Sequence, residues 1–207
     1  LAESEKETIP VYIAAKQVMS GEDKRTSLKT TQEQPVYIAY AKGRVQSVTS
    51  DVGSAIRSAD ENMGVAVDER QKYIWKRARK NVQMPIEVQP SETDAAGSPV
   101  AKCISAMLRQ EGIEVSASAL LERSDTPQEI LESLLLEREV YVIEGCSLTQ
   151  VFYYVSCGMP VLAVRGAQGA VLVTGYDALN VWMYDPQAGG TVKMTIEEAQ
   201  EQLCARG

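Results

Sequence analysis

The feature that most constrains this chain is a series of four short apolar segments near its C-terminal end: PVLAV from Pro160, AVLVTGY from Ala170, NVWMYD from Asn180 and TVKM from Thr191. Each is rich in β-branched or aromatic residues, and turn-forming residues separate them, the composition of strands joined by tight turns. Connections this short join antiparallel neighbours, because a parallel return needs a crossover of about a dozen residues or more. An antiparallel sheet is expected here, and the remaining elements have to pack on it.

Upstream the apolar period becomes helical. In PVAKCISAMLRQEG, Pro99 suits the first turn, Cys103, Ala106, Met107 and Gln110 recur at helical spacing, and Gly112 is the stop. Short helices are expected in SASALLE and in TPQEILESLLLE, where Thr126 caps and Pro127 takes the first position. VYVIEG reads as a strand, SLTQVFYYVSCG as a helix closed by Gly158, and TIEEAQEQL as a final helix with Thr195 and Glu198 as a capping box.

The N-terminal part is organised differently. Two near-copies of one phrase, PVYIAAK from Pro10 and PVYIAYAK from Pro35, read as strands, and Gly43 marks a hairpin turn. Ala55, Ile56, Ala59 and Met63 share a helical face, with Ser50 or Asp51 as cap and Gly64 as stop, and VAVDERQKYIW follows as a strand. The expected fold class is α+β. Residues 1–85 form a small α+β domain, 86–94 a linker rich in proline and turn residues, and 95–207 a second domain of helices packed on an antiparallel sheet.

Composition excludes several functions. With 21 basic and 28 acidic residues the formal net charge is −7, which argues against nucleic-acid binding. The absence of histidine, and of any CxxC pair among Cys103, Cys146, Cys157 and Cys204, removes the usual metal and haem sites, so no cofactor and no metal is expected. Buried free thiols are expected for the four cysteines, and a disulfide between distant ones stays open. The glycines of RGAQGAVLVTG lead into a strand without Gly-Lys-Ser or Gly-Lys-Thr, so they form no phosphate loop, and no serine-nucleophile motif occurs. In RQKYIWKRARK, Arg70, Lys72, Lys76, Arg77, Arg79 and Lys80 are interleaved with Tyr73 and Trp75. Two residues apart on a strand, those aromatic residues share a face and are expected to pack inward while the charges stay solvated. The functional reading is an anionic cell-surface polymer held by Arg70, Lys72, Lys76 and Arg77.

The phrases GMPVLAV, GAVLVTGYD and VWMYDP, after the helices described, resemble the peptidase C39-like group of papain-fold cysteine peptidases over about Ala95 to Leu203. The resemblance implies a papain-like C39-type domain in which a nucleophilic cysteine opens a helix, whose N-terminus favours the thiolate. The family's helix reads Cys-Gly, with leucines at the fifth and ninth positions beyond the cysteine and a glycine at the thirteenth. Placing that glycine on Gly112 puts the leucines on Leu108 and Ile104, and the nucleophile on Pro99. The family's histidine, six residues before the glycine of Thr-Gly-Tyr-Asp, falls on Gly169, and its aspartate, in Asp-Pro, on Asp185. The glutamine nearest to the oxyanion position, Gln89, lies ten residues before Pro99.

The resemblance therefore implies a degenerate domain: a catalytically inactive pseudopeptidase whose groove, near Ser98, Cys103, Gly169 and Asp185, binds a peptide or protein segment. The alternative is a cysteine peptidase with non-standard residues, Cys103 or Ser98 acting with Asp185, and a third reading is a purely structural spacer. The segments YIAYAKGRVQSV and AIRSADENMGVAVDERQKYIWKR resemble parts of membrane-tethered proteins of Gram-positive bacteria. That implies an extracellular or cell-surface location with the anchor outside residues 1–207.

Overall fold

The computed structural model describes residues 11–16, 34–78, 84–88, 97–121, 126–136, 138–165 and 169–204. The architecture is mixed α and β, with two antiparallel sheets and six helices among the described residues. In chain order the elements are β1 (Val11–Lys16), β2 (Tyr37–Ala41), β3 (Arg44–Thr49), α1 (Val52–Glu61), β4 (Val65–Asp68), β5 (Tyr73–Lys76), α2 (Pro99–Gln110), α3 (Ala117–Leu121), α4 (Pro127–Leu134), β6 (Arg138–Ile143), α5 (Leu148–Ser156), β7 (Val161–Arg165), β8 (Gly169–Tyr176), β9 (Asn180–Asp185), β10 (Gly190–Thr195) and α6 (Ile196–Cys204).

The C-terminal strands pair as successive antiparallel neighbours from β7 to β10, and the six-stranded sheet runs β10-β9-β8-β7-β1-β6. Its central strands are buried on both faces. Val171 and Val173 of β8 join a cluster with Val151, Phe152 and Val155 of α5, while Ala170 and Leu172 join a second with Ile104 and Leu108 of α2. This explains why β8 reads as a continuous apolar run: alternate side chains enter different cores, each burial contributing about 1.5–3 kcal/mol.

The smaller sheet runs β3-β2-β4-β5 and packs α1 on one face. The turn of the β2–β3 hairpin has both central residues at positive φ, Lys42 at 51° and Gly43 at 72°, the primed geometry that matches strand twist. Asp51 caps α1 by accepting from Gly53 N and Ser54 N. Gly64 closes the segment because a Cβ there would stand 1.9 Å from the Tyr40 carbonyl oxygen. Trp75, 1 % exposed, donates its indole N–H to the Gln150 carbonyl at 2.8 Å and so ties β5 to α5.

Strand pairing places several segments in ways that their sequences leave open. The two near-identical phrases separate: Tyr37–Ala41 forms β2 of the smaller sheet, whereas Val11–Lys16 forms β1 between β6 and β7 of the larger one. Strand propensity does not name a strand's neighbours, so near-identical sequences are free to pair differently. One buried cluster runs from Ala39, Ile56 and Trp75 through Ile13 and Tyr141 to Val173 and Met183, spanning segments on both sides of 86–94.

Tyr73 and Trp75 also part company. Trp75 pairs with Ala66 and Tyr73 with Val67, which leaves Ile74 as an extra residue in a β-bulge. The bulge breaks the alternation, so Ile74 and Trp75 are both buried while Tyr73 is 61 % exposed. In the expected linker, Ile86 N donates to Thr174 O at 2.8 Å, and Ile86 and Val88 pack against the two clusters. Residues 89–94 lie outside the described residues.

Candidate functional site

The helix that the resemblance places at the nucleophile begins as its sequence demands. Ser98 is the N-cap, its Oγ accepting from Ala101 N at 3.2 Å, and Pro99 is the first helical residue. Proline satisfies the helix start because the missing N–H has no intrahelical partner there, and it has no atom that can attack a carbonyl. The helix packs on β7 and β8, the second of which carries Gly169.

Cys103 lies one turn further along α2, fully buried in the cluster with Leu108, Leu131, Leu172 and Tyr184. Burial pushes its thiol well above the ordinary range, the Asp185 carboxylate pushes it further, and the Arg165 guanidinium opposes both. The arrangement protects a protonated thiol, the reverse of what a nucleophile requires.

Gly169 opens β8 and pairs with Arg165. A Cβ built on it would meet only Gln187 Nε2, at 4.0 Å, among the described residues. Asp185 ends β9, and its Oδ1 accepts from Gln187 N at 2.8 Å and from Ala188 N at 3.4 Å, an aspartate turn that starts the β9–β10 hairpin. Cys103, Gly169, Asp185 and Gln187 thus gather around one end of β8 and β9, whereas Ser98 and Pro99 start α2 one turn before Cys103. Gln89 lies outside the described residues.

Arg165 belongs to this corner and was not singled out from sequence. Its Nε is buried without a hydrogen-bond partner among the described residues. The available signal was a charge closing the apolar run VLAV. Asp177, by contrast, caps its own turn, accepting from Leu179 N and Asn180 N and pairing with Lys193. Among the described residues no group of three or more metal-ligating side chains is assembled. Cys103, Cys146 and Cys157 are free thiols.

The basic strip is divided by its pairings. Lys72 bonds Glu139 at 3.4 Å and Arg77 bonds Asp60 through Nε at 2.9 Å, whereas Arg70 and Lys76 are exposed at opposite ends of the β4–β5 pair. Arg79 and Lys80 lie outside the described residues. A cleft of about 320 Å³ opens between the two sheets, lined by Tyr37, Asp68, Arg70, Arg138, Glu139 and Tyr141. The Tyr141 hydroxyl donates to Glu139 Oε2 at 2.7 Å, and burial followed by the carboxylates of Glu139 and Asp68 pushes the Tyr37 phenol up. Its walls come from three distant segments, which no sequence spacing announces.

No protein-family model matches the chain, and neither a curated protein nor a solved structure matches it significantly.

Proposed function

We propose that the second half of this chain is a papain-like C39-type domain that has lost its chemistry and holds a peptide or an extended protein segment in the groove beside Ser98, Gly169 and Asp185. The observation that carries the reading is the residue set at that corner: a proline where the attacking sulfur belongs and a glycine where the imidazole belongs, in a chain with no histidine. Further support comes from the absence, among the described residues, of any atom closer than 4.0 Å to a Cβ at Gly169; the carboxylate of Asp185 serves a backbone turn. An acid that orients an imidazole does no catalysis without one. The alternative reading, a peptidase using Cys103 or Ser98, is opposed by the burial of that thiol and by the use of Ser98 Oγ as a helix cap. A cell-surface location, with Arg70 and Lys76 free to meet an anionic polymer, completes the proposal.

The test uses the purified protein and a displayed library of random heptapeptides. Selected peptides should bind the wild type and lose about tenfold or more in affinity to Gly169→Trp, which fills the groove where the structure leaves room for a side chain. A fluorogenic peptide library should show no turnover above buffer. Equal affinity for the Trp variant, or turnover abolished by a substitution at Cys103, would overturn the reading.

A further inference from the structure

Among the described residues no helix or strand joins the outward face of the four-stranded sheet to a core cluster, although Val67 at its centre is 4 % exposed. Across the strands, Val48, Ile38, Val67 and Tyr73 form one row, and Val45, Tyr40, Val65 and Lys76 form the next. None of these residues belongs to either core cluster. Val45 is 52 % exposed, Val48 62 % and Tyr73 61 %. The outermost strand of this face is β3, whose far edge pairs with no strand among the described residues. Solvent-facing sheet edges normally carry charge, proline, an inward-pointing lysine or a bulge against unwanted pairing; RVQSVT carries Arg44 at its start and an extra residue, Gln46, opposite the Ala39–Tyr40 step, while Ser47, Val48 and Thr49 pair regularly with β2.

The charges around the face are segregated. Lys42 and Arg44 at the hairpin tip and Lys76 across the sheet stand at one end, exposed, and form no ion pair among the described residues. Asp68, which pairs with Tyr37, and the adjoining Glu69 stand at the other. In a chain with a net charge of −7, three cations without an ion pair among the described residues, beside an exposed apolar strand edge, are a local exception.

We propose that β3 takes up an extended peptide segment by strand addition. The segment sets apolar side chains of one face beside Val48 and, past the bulge at Gln46, Val45, and acidic residues at the end beside Arg44 and Lys42. Backbone hydrogen bonds to the free edge supply affinity, the valines select apolar residues on one face of the ligand, and the cationic end fixes its direction. The site is separate from the groove at Gly169, so its success or failure leaves the reading of that groove untouched.

The experiment is fluorescence anisotropy with a labelled octapeptide of alternating valine and threonine ending in two glutamates. Controls are a twin ending in two lysines and a version of the first N-methylated on alternate amides. The acidic peptide should bind the wild-type protein, and the lysine twin, the N-methylated peptide, Val48→Glu and Arg44→Glu should each weaken binding by about tenfold or more. Both substituted side chains are solvent-exposed, and a thermal melt for each variant separates lost binding from lost folding. Four results would each overturn the proposal: no binding of the acidic peptide, equal binding of the N-methylated one, preference for phosphatidylserine-containing vesicles over the peptide, or a dimer in sedimentation that Val48→Glu dissolves.

Discussion

Alkylation by iodoacetamide reads directly whether Cys103 is available for chemistry. At pH 8 an ordinary thiol, with a pKa of about 8.5, is roughly one-quarter thiolate. Burial pushes Cys146 up to about 12, so about one molecule in ten thousand carries its thiolate at that pH, and its reaction is slowed roughly 2,000-fold. Cys103 is pushed higher by burial and then by Asp185, and none of its surface is exposed, so its modification proceeds through opening of the fold. For an opening free energy of about 5 kcal/mol, the low end for a folded domain, roughly one molecule in 4,000 is open. Cys157 is exposed and sets the reference rate. Peptide mapping by mass spectrometry after timed labelling should find Cys157 modified first and Cys146 and Cys103 about three orders of magnitude slower, with denaturing urea equalising them. Modification of Cys103 within about tenfold of Cys157, in protein that still melts as the wild type, would refute this account and restore the thiol as a nucleophile.

Two further outcomes test the packing and the caps. Gly53 lies inside α1, where alanine normally gains about 0.5–1 kcal/mol, yet its Cβ would stand 2.4 Å from the Glu144 carbonyl oxygen. Overpacking wins, so Gly53→Ala should lower stability by about 1–2 kcal/mol in urea unfolding, whereas Gly169→Ala should be neutral within about 0.5 kcal/mol; the reverse order would sink the reading of both sites. Glu198 closes the capping box of α6, accepting from Thr195 N at 2.9 Å and Thr195 Oγ1 at 2.8 Å, and those bonds hold its carboxyl below the usual range. Because the folded value is depressed, this contribution is complete above the unfolded pKa of about 4.3 and fades as pH falls through the lower folded value. The urea midpoint of Glu198→Gln should therefore converge on that of the wild type as pH falls from 7 to 3, and a constant difference would contradict the linkage.

What the sequence made legible is what neighbours along the chain decide. Ser98 and Pro99 start α2, Thr126 and Glu129 close a reciprocal box on α4, and Gly112 and Gly158 end their helices at φ of 77° and 81°. Each depends on residues three or four apart. The neighbours of β1 and the bulge at Ile74 depend on segments brought together by the whole fold. The alternation rule failed at Tyr73 for that reason: one extra residue in β5 reverses every inward and outward assignment beyond it. The corner at Cys103 was legible in part. Helical spacing announced its burial, but only the packing of α2 on the sheet brings it within the fields of Asp185 and Arg165.

The two positions that the resemblance singles out in the sheet differ in what they can testify to. Asp185 has a structural reason to be an aspartate, because its carboxylate accepts the amides of Gln187 and Ala188 and shapes the hairpin that follows. Its presence therefore argues little for a lost triad. Gly169 has no comparable reason. Its φ lies outside the left-handed region, and among the described residues nothing approaches a Cβ there more closely than 4.0 Å. Neither the backbone nor the packing of the described residues demands glycine, so the space in front of β8 is the stronger argument for the proposed groove, and occupancy of that space separates a binding module from a spacer.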